Sequence, residues 1–234
     1  MSAPNGGGRR GGQGGPGGRF DPEPSLRFSA QEMQDLLIAW LALGFAFAIF
    51  FEGGGNQAIA LVTGSPTAFI IALVVSLLTA GVGFLLHELG HKVAAVRYGN
   101  IAAFRADYNM LFLAIMSAFL GFIFAAPGAV HHRGQVTERQ HGLIALAGPA
   151  VNLALAVIFV PIWILGVVGG VDVLALLGSR GLAVNLFLAA FNLIPFGALD
   201  GKTVIGWSKA VWAAVFLPSV AVTVYVVFVL GIGF

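Results

Sequence analysis

The stretch Leu85-Leu86-His87-Glu88-Leu89-Gly90-His91 places an HExxH pattern at the end of a long apolar run. Ionisable side chains in such a run cost ~2.5 to 3.5 kcal/mol each on insertion scales, so their presence calls for a function. Four residues of helix advance about 400°, which puts His87 and His91 on one face a turn apart, where both imidazoles can ligate one Zn2+. Glu88 then lies beside the metal. Zinc lowers the pKa of a water it binds towards ~7, and a neighbouring carboxylate can take that proton and deliver the hydroxide to a peptide carbonyl. These residue types at this spacing are those of a metal-dependent hydrolase.

The surrounding composition fixes the solvent. The chain is 58% hydrophobic and 9% charged, against ~25% charged for a soluble domain, so it cannot clothe itself in a hydrated surface. It reads as a multi-pass integral membrane protein. The absence of cysteine removes disulfides, thiolate zinc sites and cysteine nucleophiles, leaving His, Asp and Glu as strong metal ligands. The basic pI comes from few cations, most of them beside apolar segments. They read as topology signals rather than as a specific nucleic-acid surface. Residues 1–28 form a Gly/Arg-rich segment expected to be a disordered cytosolic tail, with no apolar core of a signal peptide. Residues 29–234 form the membrane-embedded domain, opened by a capping box at Ser29-Ala30-Gln31-Glu32.

Apolar runs fall near 35–51, 66–92, 108–130, 141–168, 172–197 and 207–233, most of them long enough to span ~30 Å of hydrocarbon. The fold class is therefore all-α and polytopic, with five to six transmembrane helices. If the third run dips in and returns, and the N-terminus is cytosolic, every Lys and Arg except Arg180 lies on the cytosolic side. Ala126-Pro127-Gly128 interrupts that run, which suits a short helix of about 108–120 and an extended segment of about 121–132. The reading is thus of a re-entrant helix and strand after the HExxH helix. An exposed strand edge at that depth could pair with another extended peptide.

A hydrolytic zinc site needs three protein ligands and an open position. Asp200 follows an apolar helix and emerges on the same side as His91, with Pro195 breaking the helix and Gly197 and Gly201 permitting sharp turns. It is the preferred third ligand over a plain Asp-Gly helix stop. His131, His132 and His141 sit in a polar stretch read mostly as a solvated loop, and Asp172 lies at the opposite face. Within Ala147-Gly148-Pro149-Ala150-Val151-Asn152, Asn152 is either interhelical glue or, like Asn192, a donor to a scissile carbonyl or its oxyanion. Asn185 reads as packing.

HELGH at 87–91, AGPAVN at 147–152 and NLIPFGALDG at 192–201, in this order on apolar segments, resemble the site-2 protease family of intramembrane zinc metalloproteases. The likeness covers roughly residues 66–205. It implies that His87, His91 and Asp200 bind one Zn2+, that Glu88 is the catalytic base, and that Asn152 assists at the substrate or transition state. It also implies cleavage of transmembrane protein substrates within the lipid bilayer, in regulated intramembrane proteolysis, from a cell-membrane location. No PDZ-like insertion or cystathionine-synthase-type domain accompanies the motifs, so the resemblance is to a compact member. The rival classes are a membrane zinc hydrolase acting on cytosolic-side substrates, a non-catalytic membrane scaffold of the same fold, and a transporter. An intact Glu88 argues against the scaffold, and the lack of an inverted repeat argues against the transporter.

Overall fold

The structure, a computed structural model, describes residues 26–124 and 127–233; the Gly/Arg-rich tail lies outside them as far as residue 25. Ser29 caps α1 (Ala30–Phe51), its hydroxyl accepting the Glu32 N–H at 3.1 Å. The other half of the expected capping box does not form. Glu32 is drawn away to accept from Lys92 Nζ at 2.6 and 2.7 Å and from the Phe104 N–H at 3.0 Å. A buried ammonium outcompetes a helix end for the carboxylate, because leaving that charge unpaired costs more than a cap contributes.

A short helix α2 (Gly55–Gly64) leads to α3 (Pro66–Ser76), which runs through a π-helical turn at Leu77–Gly81 into α4 (Val82–Arg97). Trp40 on α1 donates its indole N–H to the Leu77 carbonyl at 3.0 Å, a second donor to the oxygen that also accepts the Val82 N–H across the irregular turn. Then come β1 (Ile101–Ala106), α5 (Tyr108–Phe119), β2 (Gly128–Arg133), α6 (Glu138–Gly169), α7 (Asp172–Asn192), α8 (Asp200–Trp207), and α9 (Lys209–Thr223), which continues as π-helix to Val229. Among the described residues five helices are long and apolar enough to cross a membrane: Ala30–Phe51, Pro66–Arg97, Glu138–Gly169, Asp172–Asn192 and Lys209–Val229. The chain is an all-α polytopic membrane protein with one small sheet.

The third apolar run of the sequence does not span. Tyr108 at the start of α5 bonds Asp35 near the start of α1 at 2.6 Å, whereas Gly121 beyond its end packs on Gly54 past the far end of α1. The chain then turns back, Ile123 packing with Phe47, Ala80 and Val184, and reaches β2 beside β1. The segment re-enters, as its interrupting Pro127 and Gly128 suggest. The extended part is shorter than the expected 121–132, and it has an antiparallel partner that the sequence did not announce, with Ile101 opposite Arg133 and Phe104 opposite Val130. Such a short ladder is set by its pairing rather than by local propensity.

The register decides what β2 offers to its surroundings. Phe104 donates its N–H to Glu32 and not to β2. In an antiparallel ladder, directly opposed residues exchange both bonds or neither, so Val130 also turns its N–H away from β1, as do Gly128 and His132. The free edge of β2 faces α4.

Candidate metal centre

His87, Glu88 and His91 project from α4 about 9 to 15 Å before its C-terminal end, given 1.5 Å per residue, and all three are buried. Asp200 is the first residue of α8, where the helix dipole favours a carboxylate. It is carried back to α4 by the turn from Leu193 to Leu199. Gly197 takes φ of 60° in that turn, and any side chain on Gly201 would strike the Leu193 carbonyl. Trp212 of α9 fixes the same carbonyl through its indole N–H at 2.8 Å.

Three donor atoms converge. His87 Nε2 and His91 Nε2 are 3.0 Å apart, and Asp200 Oδ2 lies 3.2 Å from the first and 3.3 Å from the second. The opposite ring nitrogens define the tautomers. His91 Nδ1 lies 2.8 Å from the Ile144 carbonyl, which can only accept. His87 Nδ1 lies 2.6 Å from Asn152 Oδ1. The Asn152 amide group meanwhile donates to the Gly83 carbonyl at 3.1 Å and to Asn185 Oδ1 at 2.9 Å. Asn185 is oriented in turn by donating to the Gly181 carbonyl at 2.9 Å. Both histidines therefore carry Nδ1–H and turn Nε2 lone pairs inward, the outer-shell arrangement typical of metal-binding imidazoles.

Lone pairs facing one another at this range repel unless a positive charge sits among them. Four-coordinate zinc with bonds near 2.0 Å places its ligands about 3.3 Å apart, and the observed triangle has that size. Asp200 Oδ2 and Glu88 Oε2 are buried with no hydrogen-bond partner. α6 comes so close that a Cβ on Gly148 would lie 2.5 Å from His91 Nε2 and 2.6 Å from His87 Nε2. Pro149, next in α6, cannot donate to Ala145, and the adjoining Ile144 carbonyl is the one that takes the His91 proton. The residues present fit a zinc ion.

A cavity of about 200 Å³ opens beside the triangle, lined by Glu88, β2, Asn192 and Thr203 among others. The backbone amide of Val130 on the free edge of β2 faces the Glu88 carboxylate. Glu88 also borders a second, apolar cleft of about 480 Å³ between α1 and α4, walled by Leu36, Trp40, Leu85 and Leu89.

Three sequence expectations change here. Asn152, expected to act on substrate, has both amide protons committed to protein acceptors and its oxygen to His87; fully buried, it positions an imidazole and has no proton for an oxyanion. Asn185, read as packing, is the next link of that chain. The polar stretch read as solvated loop is only partly so: His132 lies on the inward face of β2 and lines the cavity with His141. Burial first, then the neighbouring His141, His91 and His131, hold the His132 imidazole below its ordinary pKa. The signal that could have found it is the alternation of strand side chains, which separates His132 from the exposed His131 and Arg133.

No family model matches the chain, and no solved structure matches it significantly. Among curated proteins, it is 37% identical over 205 residues to a Methanocaldococcus jannaschii protein named, provisionally, as the zinc metalloprotease MJ0611, with 87% of this chain and 98% of that protein covered. It is 31% identical over 156 residues to the Bacillus subtilis protein YwhC, covering 60% and 70% respectively. With the Mycobacterium tuberculosis protein Rip2 it shares 32% identity over 174 residues, covering 64% and 62%. The last two are likewise named, provisionally, as zinc metalloproteases.

Proposed function

Because the chain belongs to the zinc metalloprotease family of MJ0611, YwhC and Rip2, we propose that it is a site-2 protease-like intramembrane endopeptidase. On this reading it cuts peptide bonds within or near transmembrane segments of other proteins. The observation that carries the proposal is the position of the donor triangle and Glu88, buried inside a bundle of apolar helices with a free strand edge alongside. A protease for soluble chains has no need to place its site there.

His87 Nε2, His91 Nε2 and Asp200 Oδ2 would hold the ion. Bound zinc supplies a Lewis acid that polarises a carbonyl and makes water acidic enough to give up a proton near neutral pH. Glu88, one residue along α4 from His87, takes that proton on its unpartnered Oε2 and returns it to the nitrogen of the departing amine. Asn152 and the Ile144 carbonyl keep both imidazoles aimed, so no reorganisation is needed as charge develops.

Substrate helices resist hydrolysis because their carbonyls are hydrogen-bonded within the helix. The outward edge of β2, with the N–H groups of Gly128 and His132 on either side of the Val130 amide that faces Glu88, offers such a segment a strand to pair with once it unwinds. The apolar cleft between α1 and α4 reaches Glu88 and gives that segment a lipid-compatible approach. The charge distribution supports a cytosolic N-terminus in the cell membrane, with the sheet and α8 on the cytosolic side. The test is to reconstitute the purified chain in liposomes with single-span proteins and map the cut sites by mass spectrometry. Cuts inside apolar segments are expected; cutting confined to soluble loops would contradict the proposal.

A further inference from the structure

His132 and His141 form a second imidazole pair in the cavity that contains the donor triangle. Their ring centroids are 5.6 Å apart with an interplanar angle of 72°. The His87 and His91 rings have the same edge-on relation, at 4.7 Å and 83°. Two imidazoles ligating one tetrahedral ion lie at about this separation, with centroids roughly 5 Å apart for bonds near 2.0 Å. The two pairs differ in how they are held. His87 and His91 have their Nδ1 atoms tied to protein acceptors, whereas His132 Nδ1 is buried without any partner. A nitrogen left in that state asks for a proton, a water or a cation.

The histidines also form a graded series. His141 is exposed on the first turn of α6, His132 is half-buried on β2, and His91 is buried on α4. Glu138 lies three residues before His141, exposed on the same side of that first turn. An ion reaching the buried triangle must shed its water, and a divalent ion does so in steps if ligands are offered in sequence. We propose that His132 and His141 form an outer capture site for a zinc-class divalent cation, through which the ion passes to His87, His91 and Asp200. This rests on the zinc-protease reading of the inner site and adds a loading route that the reading itself does not require.

A way-station lowers the barrier in both directions, so its loss slows uptake and release alike and leaves affinity unchanged. That signature separates it from a structural or ligand role. The experiment uses the full chain in detergent, stripped of metal, with Zn2+ uptake followed against a fluorescent indicator and release followed with a chelator. The proteins are wild type, His132→Ala with His141→Ala, and His131→Ala, which alters the exposed face of the same strand. In the double variant both rates should fall roughly tenfold or more, the range by which a focusing site raises an on-rate. Its final occupancy and affinity should match wild type, and His131→Ala should load normally. Wild-type rates in the double variant would overturn the capture site, as would slowed uptake with an equal loss of affinity. Failure of the wild-type chain to take up Zn2+ at all would remove the inner-site reading, and the capture site with it.

Discussion

Replacing Gly148 by alanine tests the metal centre with a single methyl group. The added Cβ would stand 2.5 Å from His91 Nε2 and 2.6 Å from His87 Nε2, against an ordinary contact of at least 3.4 Å. Backbone on α6 cannot yield cheaply, because Pro149 and the buried Asn152 follow in the same turn. The imidazoles must therefore withdraw by roughly 0.8 to 0.9 Å, whereas metal-ligand distances tolerate only about 0.2 Å. Spoiling two of three ligands should lower zinc affinity by at least about 100-fold, or ~2.7 kcal/mol. The assay is zinc content after dialysis against chelators of graded strength, with helical signal and melting temperature measured alongside. Gly206→Ala is the matched control: it lies on α8 with nothing within 4 Å of the new methyl, so it should keep its zinc and gain up to ~1 kcal/mol of helix stability. A folded Gly148→Ala protein with wild-type zinc affinity would refute the placement of the donor triangle.

Asn152→Ala strips the Nδ1–H of His87 of its acceptor; zinc affinity should fall about 10- to 100-fold, with Asn185→Leu giving a smaller loss. A catalytic defect at full zinc affinity would instead return Asn152 to the substrate. Lys92→Met leaves Glu32 buried and unpaired and should cost ~3 to 5 kcal/mol by thermal melting, most of it recovered in Glu32→Gln with Lys92→Met. Val130→Pro removes from β2 the outward N–H that faces Glu88, and no bond to β1; zinc should stay bound while cleavage of membrane substrates is lost, and unaffected cleavage would exclude a role for that edge in the reaction.

Much of this architecture is legible in the sequence for one reason. Ionisable groups are expensive in an apolar run, so His87, Glu88, His91 and Asp200 stand out, and the fold brings these four together. The spanning helices announce themselves by length and hydropathy, and the re-entrant segment by Pro127, Gly128 and the disposition of Lys and Arg. What stays hidden depends on partners distant in the chain. Glu32 looks like half of a capping box until Lys92 arrives from α4. An asparagine such as Asn152 can face a cavity or a neighbouring helix, and only the surrounding acceptors decide. β1 is too short to declare itself without β2, and the inward turn of His132 follows from that pairing.

The most direct test of the central claim compares wild type with Glu88→Gln, quantifying bound zinc and cleavage of single-span membrane proteins in the same liposomes. Gln preserves the shape of the side chain and the ligand set but removes the proton acceptor. Zinc should remain at one ion per chain in both, while cleavage falls by about 10²- to 10⁴-fold in the variant. Cleavage at the wild-type rate by the zinc-loaded Gln variant, or a wild-type chain that binds no zinc, would contradict the account.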